Sequence, residues 1–209
     1  MLLLFVLPAE PALGIGKADA AHIRITMCFA ALWLVVFALP LFLFVRQPAA
    51  RTDATPFLAS LRQSIGLAIR IPDMARFLLA RMLFADGLVT LFAFGGIYAA
   101  TVFGLSQTMV LVFGILLNIT AGIGAACGGF ADDRFGSIAV MRGCLVALAG
   151  LGTIAVLAPN GAVFWMAGAA LGLFIGPLQS SARAYVARRA PADQRASLFG
   201  LMMFSGKAT

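Results

Sequence analysis

The chain has 209 residues, of which 62% are apolar and 11% are charged, and its mean hydropathy is +1.02. A soluble domain has about half apolar residues and about a quarter charged ones, so a soluble fold of this size cannot bury the surplus. The net charge of +7 does not indicate a nucleic-acid partner, because most basic residues fall in short breaks between apolar runs instead of forming a patch. Composition therefore predicts an all-α polytopic membrane protein whose surroundings are the lipid bilayer.

The spans follow from the length of the apolar runs, since crossing a bilayer takes about 20 apolar residues. The runs that qualify are 27–45, 77–100, 108–130, 138–158 and 162–181. Two further runs meet the chain ends. Residues 1–7 are interpreted as the tail of a span whose beginning is missing, and residues 196–209 as the first part of another. The sequence is thus predicted to be a fragment.

The distribution of arginine predicts the orientation. Connections 46–76, 131–137 and 182–195 carry arginines, whereas connections 101–107 and 159–161 carry no charge. Cytoplasmic loops of membrane proteins are enriched in Lys and Arg. The Arg-rich connections are therefore predicted to be cytoplasmic, and we expect the membrane to be a bacterial inner membrane.

Connection 46–76 contains a candidate amphipathic helix. The apolar residues that recur there at helical spacing are Phe57, Leu58, Leu61, Ile65 and Ala68. The polar residues assigned to the opposite side are Ser60, Arg62, Gln63 and Ser64. This pattern predicts a short helix on the cytoplasmic surface with its arginines near anionic headgroups. The alternative is a solvated linker in which the stripe arose by chance.

Residues for catalysis or metal binding are scarce. The single histidine, His22, is placed in an external loop and excludes HExxH motifs and Ser-His-Asp triads within this chain. The three cysteines, Cys28, Cys127 and Cys144, show no metal-ligand spacing and are expected to be buried, inert thiols. We therefore expect no enzymatic activity, no metal and no cofactor.

Polar residues at membrane depth are the candidates for a solute or proton site. Asp86 lies about 13 Å into its span, where a carboxylate costs about 2.5–3.5 kcal/mol, so it should face the bundle interior. Asn118 and Lys207 lie at similar depth on two other helices, an arrangement suited to a site near the midplane. Arg81 lies about 140° from Asp86 around the same helix, so the two cannot pair directly.

Structural roles remain open for the same residues. Asp86 and Lys207 would form a packing ion pair, or Asp86 would cap a helix break at Gly87. Asn118 would make a hydrogen bond between helices. The candidates for helix kinks, serving either gating or plain packing irregularity, are Gly95, Gly96, Gly176 and Pro177.

Glycines and charged residues cluster at the end of the third full span. Gly124 and Gly128 form a GxxxG pair, for which contact between helices is the expected role. The following stretch, 129–136, reads Gly-Phe-Ala-Asp-Asp-Arg-Phe-Gly. It resembles the G-x-x-x-D-R-x-G signature of the major facilitator superfamily, found between the second and third helices of each six-helix half. The matching residues are Gly129, Asp133, Arg134 and Gly136, with Asp132 at a variable position.

This resemblance implies a gating motif at the cytoplasmic side. Gly129 would admit a close helix contact and Gly136 a turn. The carboxylate of Asp133 would accept hydrogen bonds from an arginine and from a helix N-terminus. The chain departs from the signature after Gly136, where Ser137 stands in place of the usual basic residue. The alternative is an acidic-basic turn that matches by chance.

Further stretches resemble the vacuole-effluxer-like branch of that superfamily, which is associated with autophagy-related amino-acid efflux from the vacuole. Residues 77–87 and 94–98 are similar to its seventh helix, and 39–45 to its sixth. Residues 176–183 and 204–209 are similar to its tenth and eleventh. The implied domains are 1–45 (end of helix 5, external loop, helix 6), 46–76 (connection between the halves) and 77–209 (helices 7–10 and part of 11).

The implied function is secondary active transport of small solutes, such as amino acids, by alternating access. In this architecture helices 7, 8, 10 and 11 face the cavity, and the polar residues on them are Asp86, Asn118, Gln179 and Lys207. Proton coupling through Asp86 is a further hypothesis, and the missing N-terminal half of the transporter is an expected partner. The alternative is a truncated membrane protein that does not transport.

Overall fold

The computed structural model describes residues 21–44, 57–191 and 194–206. Its helices are α1 (Ala21–Phe44), α2 (Phe57–Arg70), α3 (Met74–Phe103), α4 (Gln107–Phe135), α5 (Ser137–Val156), α6 (Gly161–Arg189) and α7 (Arg195–Ser205). The chain separates into two compact units, Met1–Ala54, which contains α1, and Thr55–Thr209, which contains the other helices. The predictions made for residues 1–7 and for Lys207 lie outside the described residues.

The membrane prediction is confirmed by helix length and composition. Five helices in the described ranges, α1 and α3 to α6, are long and apolar enough to cross a bilayer, so the chain is an all-α, multi-pass integral membrane protein. Cys144 is buried, but Cys28 and Cys127 are exposed. The expectation of buried thiols is wrong for these two residues. A membrane helix has apolar side chains both on the face that contacts lipid and on the face that contacts protein, so an apolar neighbourhood in the sequence does not establish burial in the protein.

Helices extend beyond the apolar runs that predicted them. His22 belongs to α1 and not to a loop. The charged residues 132–134 lie in α4, and the arginines from 183 to 189 lie in α6. Loops are predicted at both places, so these predictions are wrong. The helix ends have local causes. Gly136 follows α4 with a φ of 82°, and Pro191 disfavours helical backbone at Ala190, where α6 ends.

The amphipathic helix predicted in connection 46–76 is present as α2, but its buried face differs from the prediction. Ser64 and Ala68 are buried, whereas Ile65 is 44% exposed and Ile69 is 69% exposed. The assignment of Ser64 to the outer face and Ile65 to the inner face is therefore wrong. The reason is that α2 packs on α7 and α3 of its own unit, where small side chains allow close approach.

The contact between α4 and α6 is the most extensive in the structure. Glycines on both helices make it close. A Cβ on Gly176 would overlap the carbonyl oxygen of Ala121, and a Cβ on Gly172 would overlap the hydroxyl of Thr120. A Cβ on Gly128 would lie 2.6 Å from the Cβ of Pro177. These contacts advance in the same order along both helices, so the two helices run in the same direction. Residues near their carboxyl ends therefore meet at one end of the unit. This end carries the arginines from 183 to 189 and is called the Arg-rich end.

Apolar clusters hold α3, α5 and α7 to this pair. Near the Arg-rich end, α3 and α7 pack against α6 through fully buried side chains such as Met74, Leu178 and Met202. At the opposite end, Phe113 of α4 stacks on Phe164 of α6 with 5.1 Å between ring centroids. The α4–α6 pair therefore forms the centre of the unit Thr55–Thr209.

We predict that Gly176→Ala destabilises the protein although alanine favours helix. The added methyl would overlap backbone atoms of Ala121 and Ala125, which cannot move aside, so we expect a loss of about 1–3 kcal/mol in the free energy of unfolding. The matched control is Gly150→Ala on α5, where a Cβ would have no neighbour within 4 Å and helix propensity adds up to about 1 kcal/mol. Thermal unfolding in detergent measures both. Equal melting temperatures would contradict the prediction.

Candidate functional site

Charged residues from α4, α5 and α6 meet at the Arg-rich end of the unit. The Arg188 Nη2 group donates a hydrogen bond to Asp133 Oδ1 at 2.7 Å and forms an ion pair with Asp132 Oδ2 at 2.9 Å. The Ser137 hydroxyl, at the start of α5, donates to Asp132 Oδ2 at 3.2 Å. These four residues, here the charge cluster, join the consecutive helices α4 and α5 to the end of α6, which lies more than 50 residues later in the sequence.

Burial separates the two carboxylates of the charge cluster. The Asp132 side chain is 6% exposed, whereas that of Asp133 is 79% exposed. One oxygen of Asp132, Oδ1, is buried and accepts no hydrogen bond within the described part of the chain. A buried carboxylate depends on its counter-charge far more than an exposed one does. Asp132 is therefore the residue that requires Arg188.

The predicted gating motif is partly rearranged in the structure. The turn expected at Gly136 is confirmed by its positive φ. The helix contact expected of the GxxxG pair Gly124 and Gly128 is confirmed, because a Cβ on either would meet α6. A Cβ on Gly129 would meet no described residue within 4 Å, so the close contact implied there stays a prediction. Arg134 is exposed, with its guanidinium 5.8 Å from the centroid of the Phe135 ring.

Sequence reasoning missed the partners of the motif. The sequence pattern predicts a loop at Arg188, and it marks Ser137 only as a departure from the signature. The available signal was helical continuity, since no residue from 161 to 189 except Pro177 disfavours helix interior strongly. Ser137 fills the place of a second cation by donating a hydrogen bond to Asp132.

A small cavity between α3 and α6 contains Arg81 and Gln179. It has a volume of about 190 Å³, and its other walls are Phe84, Ala85, Leu88, Val89, Phe92 and Ala182. Arg81 lies about 10 Å along α3 from the start of the helix at 1.5 Å per residue, and Gln179 about 15 Å from the end of α6. We call this space the Arg81 cavity.

Arg81 has no carboxylate partner among the described residues. Its Nη1 group donates a hydrogen bond to the Met202 carbonyl at 3.1 Å, while its Nε atom is buried without a hydrogen-bond acceptor. Arg183, one turn from Gln179, adds a second positive charge whose field reaches Arg81. The cavity is therefore a positively charged space with one amide and apolar walls, which suits a small anion.

The other predicted site residues are not brought into this cavity. Asp86 is exposed, and no hydrogen bond or ion pair reaches it from the described residues. Helix α3 continues through Gly87, so the cap at a helix break is excluded. Asn118 is exposed and donates a hydrogen bond to the Gly114 carbonyl of its own helix at 2.8 Å. The structure thus leaves Asp86 and Asn118 on exposed helix surfaces.

The glycines predicted to kink helices lie in continuous helix. Helix α3 runs through Gly95 and Gly96, and α6 runs through Gly176 and Pro177. Gly95 and Gly96 border a second cavity of about 390 Å³, whose lining is almost entirely apolar. Kinking at these positions stays a prediction. Across the described ranges, no three His, Cys, Asp or Glu side chains lie together as metal ligands would.

Comparison with known proteins supplies the family. Residues 3–209 match the family model described as "Vacuole effluxer Atg22 like". No curated protein matches, and no solved structure matches. The family match covers nearly all of the chain, including both the charge cluster and the Arg81 cavity.

We predict that Arg188 is coupled more strongly to Asp132 than to Asp133. In double-mutant cycles with alanine, the Asp132–Arg188 coupling should be about 1–3 kcal/mol because one partner is buried. The Asp133–Arg188 coupling should be about 0.2–1 kcal/mol because that carboxylate is solvated. Denaturant unfolding in micelles provides both values, and an Asp132–Arg189 cycle is the control, expected to be additive. Equal couplings for the two aspartates would refute the ranking.

Proposed function

Since the chain belongs to the vacuole effluxer Atg22-like family, a membrane transporter family of the major facilitator type, we propose that it is most of the C-terminal half of a secondary transporter. In this proposal a second, N-terminal half completes the translocation path, and the solute crosses by alternating access. The family is one of transporters, so we assign the chain no enzymatic reaction.

The single observation that carries the proposed site is the uncompensated guanidinium of Arg81. A charged side chain within a membrane span is costly, and such residues are retained where they line a pathway or bind a ligand. Arg81 opens on a cavity and has no carboxylate partner among the described residues. We therefore place solute binding at the Arg81 cavity.

The chemistry of this cavity favours a small solute that carries a carboxylate. Guanidinium binds carboxylate through two parallel hydrogen bonds, and the amide of Gln179 offers a further donor. The apolar walls, Phe84, Leu88 and Phe92 among them, would contact an apolar side chain. The volume of about 190 Å³ equals about six water molecules. A short monocarboxylate fits these requirements, and so does a neutral amino acid whose ammonium group donates to the side-chain oxygen of Gln179.

The charge cluster is proposed as the element that holds one access state. It joins the ends of α4, α5 and α6 through Arg188. An ion pair that is partly buried in one state and solvated in the other changes the relative stability of the two states. The exposed carboxylate of Asp133 is available to a group that approaches from the other half.

Orientation and compartment are also proposals. We place the Arg-rich helix ends in the cytoplasm from the distribution of arginine. The bilayer is then a bacterial inner membrane, or a vacuolar membrane as the family description suggests. In both cases the Arg81 cavity lies closer to the cytoplasmic side than to the other side.

A truncated membrane protein without transport activity is the competing function. Measuring solute flux into vesicles distinguishes the transporter from the non-transporting protein. The vesicles contain a polypeptide that has both halves. Sequencing the DNA that flanks this reading frame establishes which polypeptide to use. Flux supports the transporter, and its absence from a folded two-half protein supports the competitor.

We predict that Arg81→Gln lowers carboxylate transport about 10–100-fold in the protein with both halves, as expected for a lost charged hydrogen bond of about 1.5–3 kcal/mol. Uptake of a neutral amino acid is compared with uptake of its carboxamide in proteoliposomes. Arg62→Gln, which removes an exposed arginine of α2, is the matched control. Equal transport of the acid and the carboxamide by the unmodified protein would refute carboxylate recognition without refuting transport.

We predict that Asp86→Asn abolishes the pH dependence of transport. An asparagine mimics the protonated carboxyl group at all pH values, so a step that requires proton uptake at Asp86 no longer responds to pH. Initial rates of flux across a pH series measure this. Asp73→Asn, at the exposed start of α3, is the control and should retain the profile of the unmodified protein. Unchanged pH dependence in Asp86→Asn would exclude the proton role.

A further inference from the structure

A basic cleft opens where the end of α6 meets the start of α5. It has a volume of about 420 Å³, and three arginines line it, Arg142, Arg188 and Arg189. Arg188 is already bound to the carboxylates of the charge cluster. Arg142 is exposed, and no described carboxylate pairs with it or with Arg189. Two guanidinium groups in the cleft are therefore available to an anion.

An apolar groove of about 390 Å³ continues from the basic cleft between α3 and α5. The two spaces share Ile138, Arg142 and Tyr185. Apolar residues of the groove wall include Phe84, Met141 and Leu145. The one carboxylate in the groove wall, Asp73, is bound to Arg76 at 3.3 Å. The groove thus offers apolar surface without a free negative charge.

The basic cleft and the apolar groove follow one another along α5 in the order of the headgroup and the acyl chains of a lipid. Arg142 lies about 7 Å from the start of α5, and Leu145 lies about 5 Å further along the helix, at 1.5 Å per residue. The cations are therefore at the depth of the headgroups, and the apolar groove extends toward the acyl chains. A ligand that fills both spaces has an anionic head and an apolar tail.

We infer that the basic cleft binds the phosphate of an anionic phospholipid and that the apolar groove holds one of its acyl chains. Arg142 and Arg189 would hold the phosphate oxygens, since guanidinium binds phosphate through paired hydrogen bonds. The Arg189 guanidinium lies 5.7 Å from the centroid of the Tyr185 ring, which fixes it at the edge of the cleft. This site is separate from the Arg81 cavity and does not depend on transport.

The first test uses the full chain in uncharged detergent micelles with a fluorescent phosphatidylglycerol as the probe. Unlabelled phosphatidylglycerol should displace the probe at a concentration at least about tenfold lower than phosphatidylcholine does, because only the former has a net negative charge. Inorganic phosphate should not displace it. Displacement by inorganic phosphate at the same concentration, or equal displacement by the two lipids, would overturn the inference.

The second test compares two double variants that lose the same charge. Arg142→Gln with Arg189→Gln should weaken binding of the probe about 25-fold, at about fivefold per arginine. Arg62→Gln with Arg70→Gln, which removes two exposed arginines of α2, should change it by less than about twofold. Equal weakening would show that net charge alone attracts the lipid. Circular dichroism establishes whether both variants are helical. The competition between lipids uses the unmodified chain, so the inference can be tested even where a variant does not fold.

Discussion

The close contact between α4 and α6 determines where the polar groups of this protein lie. Pro177 has no N–H group, so the Leu173 carbonyl one turn earlier lacks its helical partner. That carbonyl faces Gly124, whose missing side chain allows the approach. A Cα–H group can interact weakly with such an oxygen. Because this contact sets the register of two parallel helices, Asp132 reaches Arg188 across 56 positions of sequence.

Helix α3 is packed less closely, and two charged residues within its span lack a partner of opposite charge among the described residues. Space remains on several of its sides, namely the Arg81 cavity, the apolar groove and the larger apolar cavity near Gly95. Arg81 and Asp86 both lack a partner of opposite charge among the described residues. In a unit whose α4–α6 pair is close-packed, these features are consistent with a shift of α3 when a ligand binds.

The sequence predicts most of the fold because its main signals are local. Long apolar runs yield the spans, and a glycine between two helices yields the turn at Gly136. It predicts less of the packing, since that depends on which helices become neighbours. Ser64 was assigned outward by polarity, yet its small side chain lies against protein in the structure. The GxxxG pair predicts the contact of Gly128 with α6, whereas the neighbouring Gly129 faces away from α6, because the direction of a helix face shifts by about 100° per residue.

The reason for a positive charge differs among three arginines of this chain. Arg188 is explained by Asp132, a buried carboxylate that needs a counter-charge. Arg142 is ordinary for the end of a membrane helix, and it becomes informative only because an apolar groove begins beside it. Arg81 lies deeper, with its Nε atom buried and without a hydrogen-bond acceptor. An apolar side chain at that position would pack at lower cost, and this supports the proposal that Arg81 binds an anion.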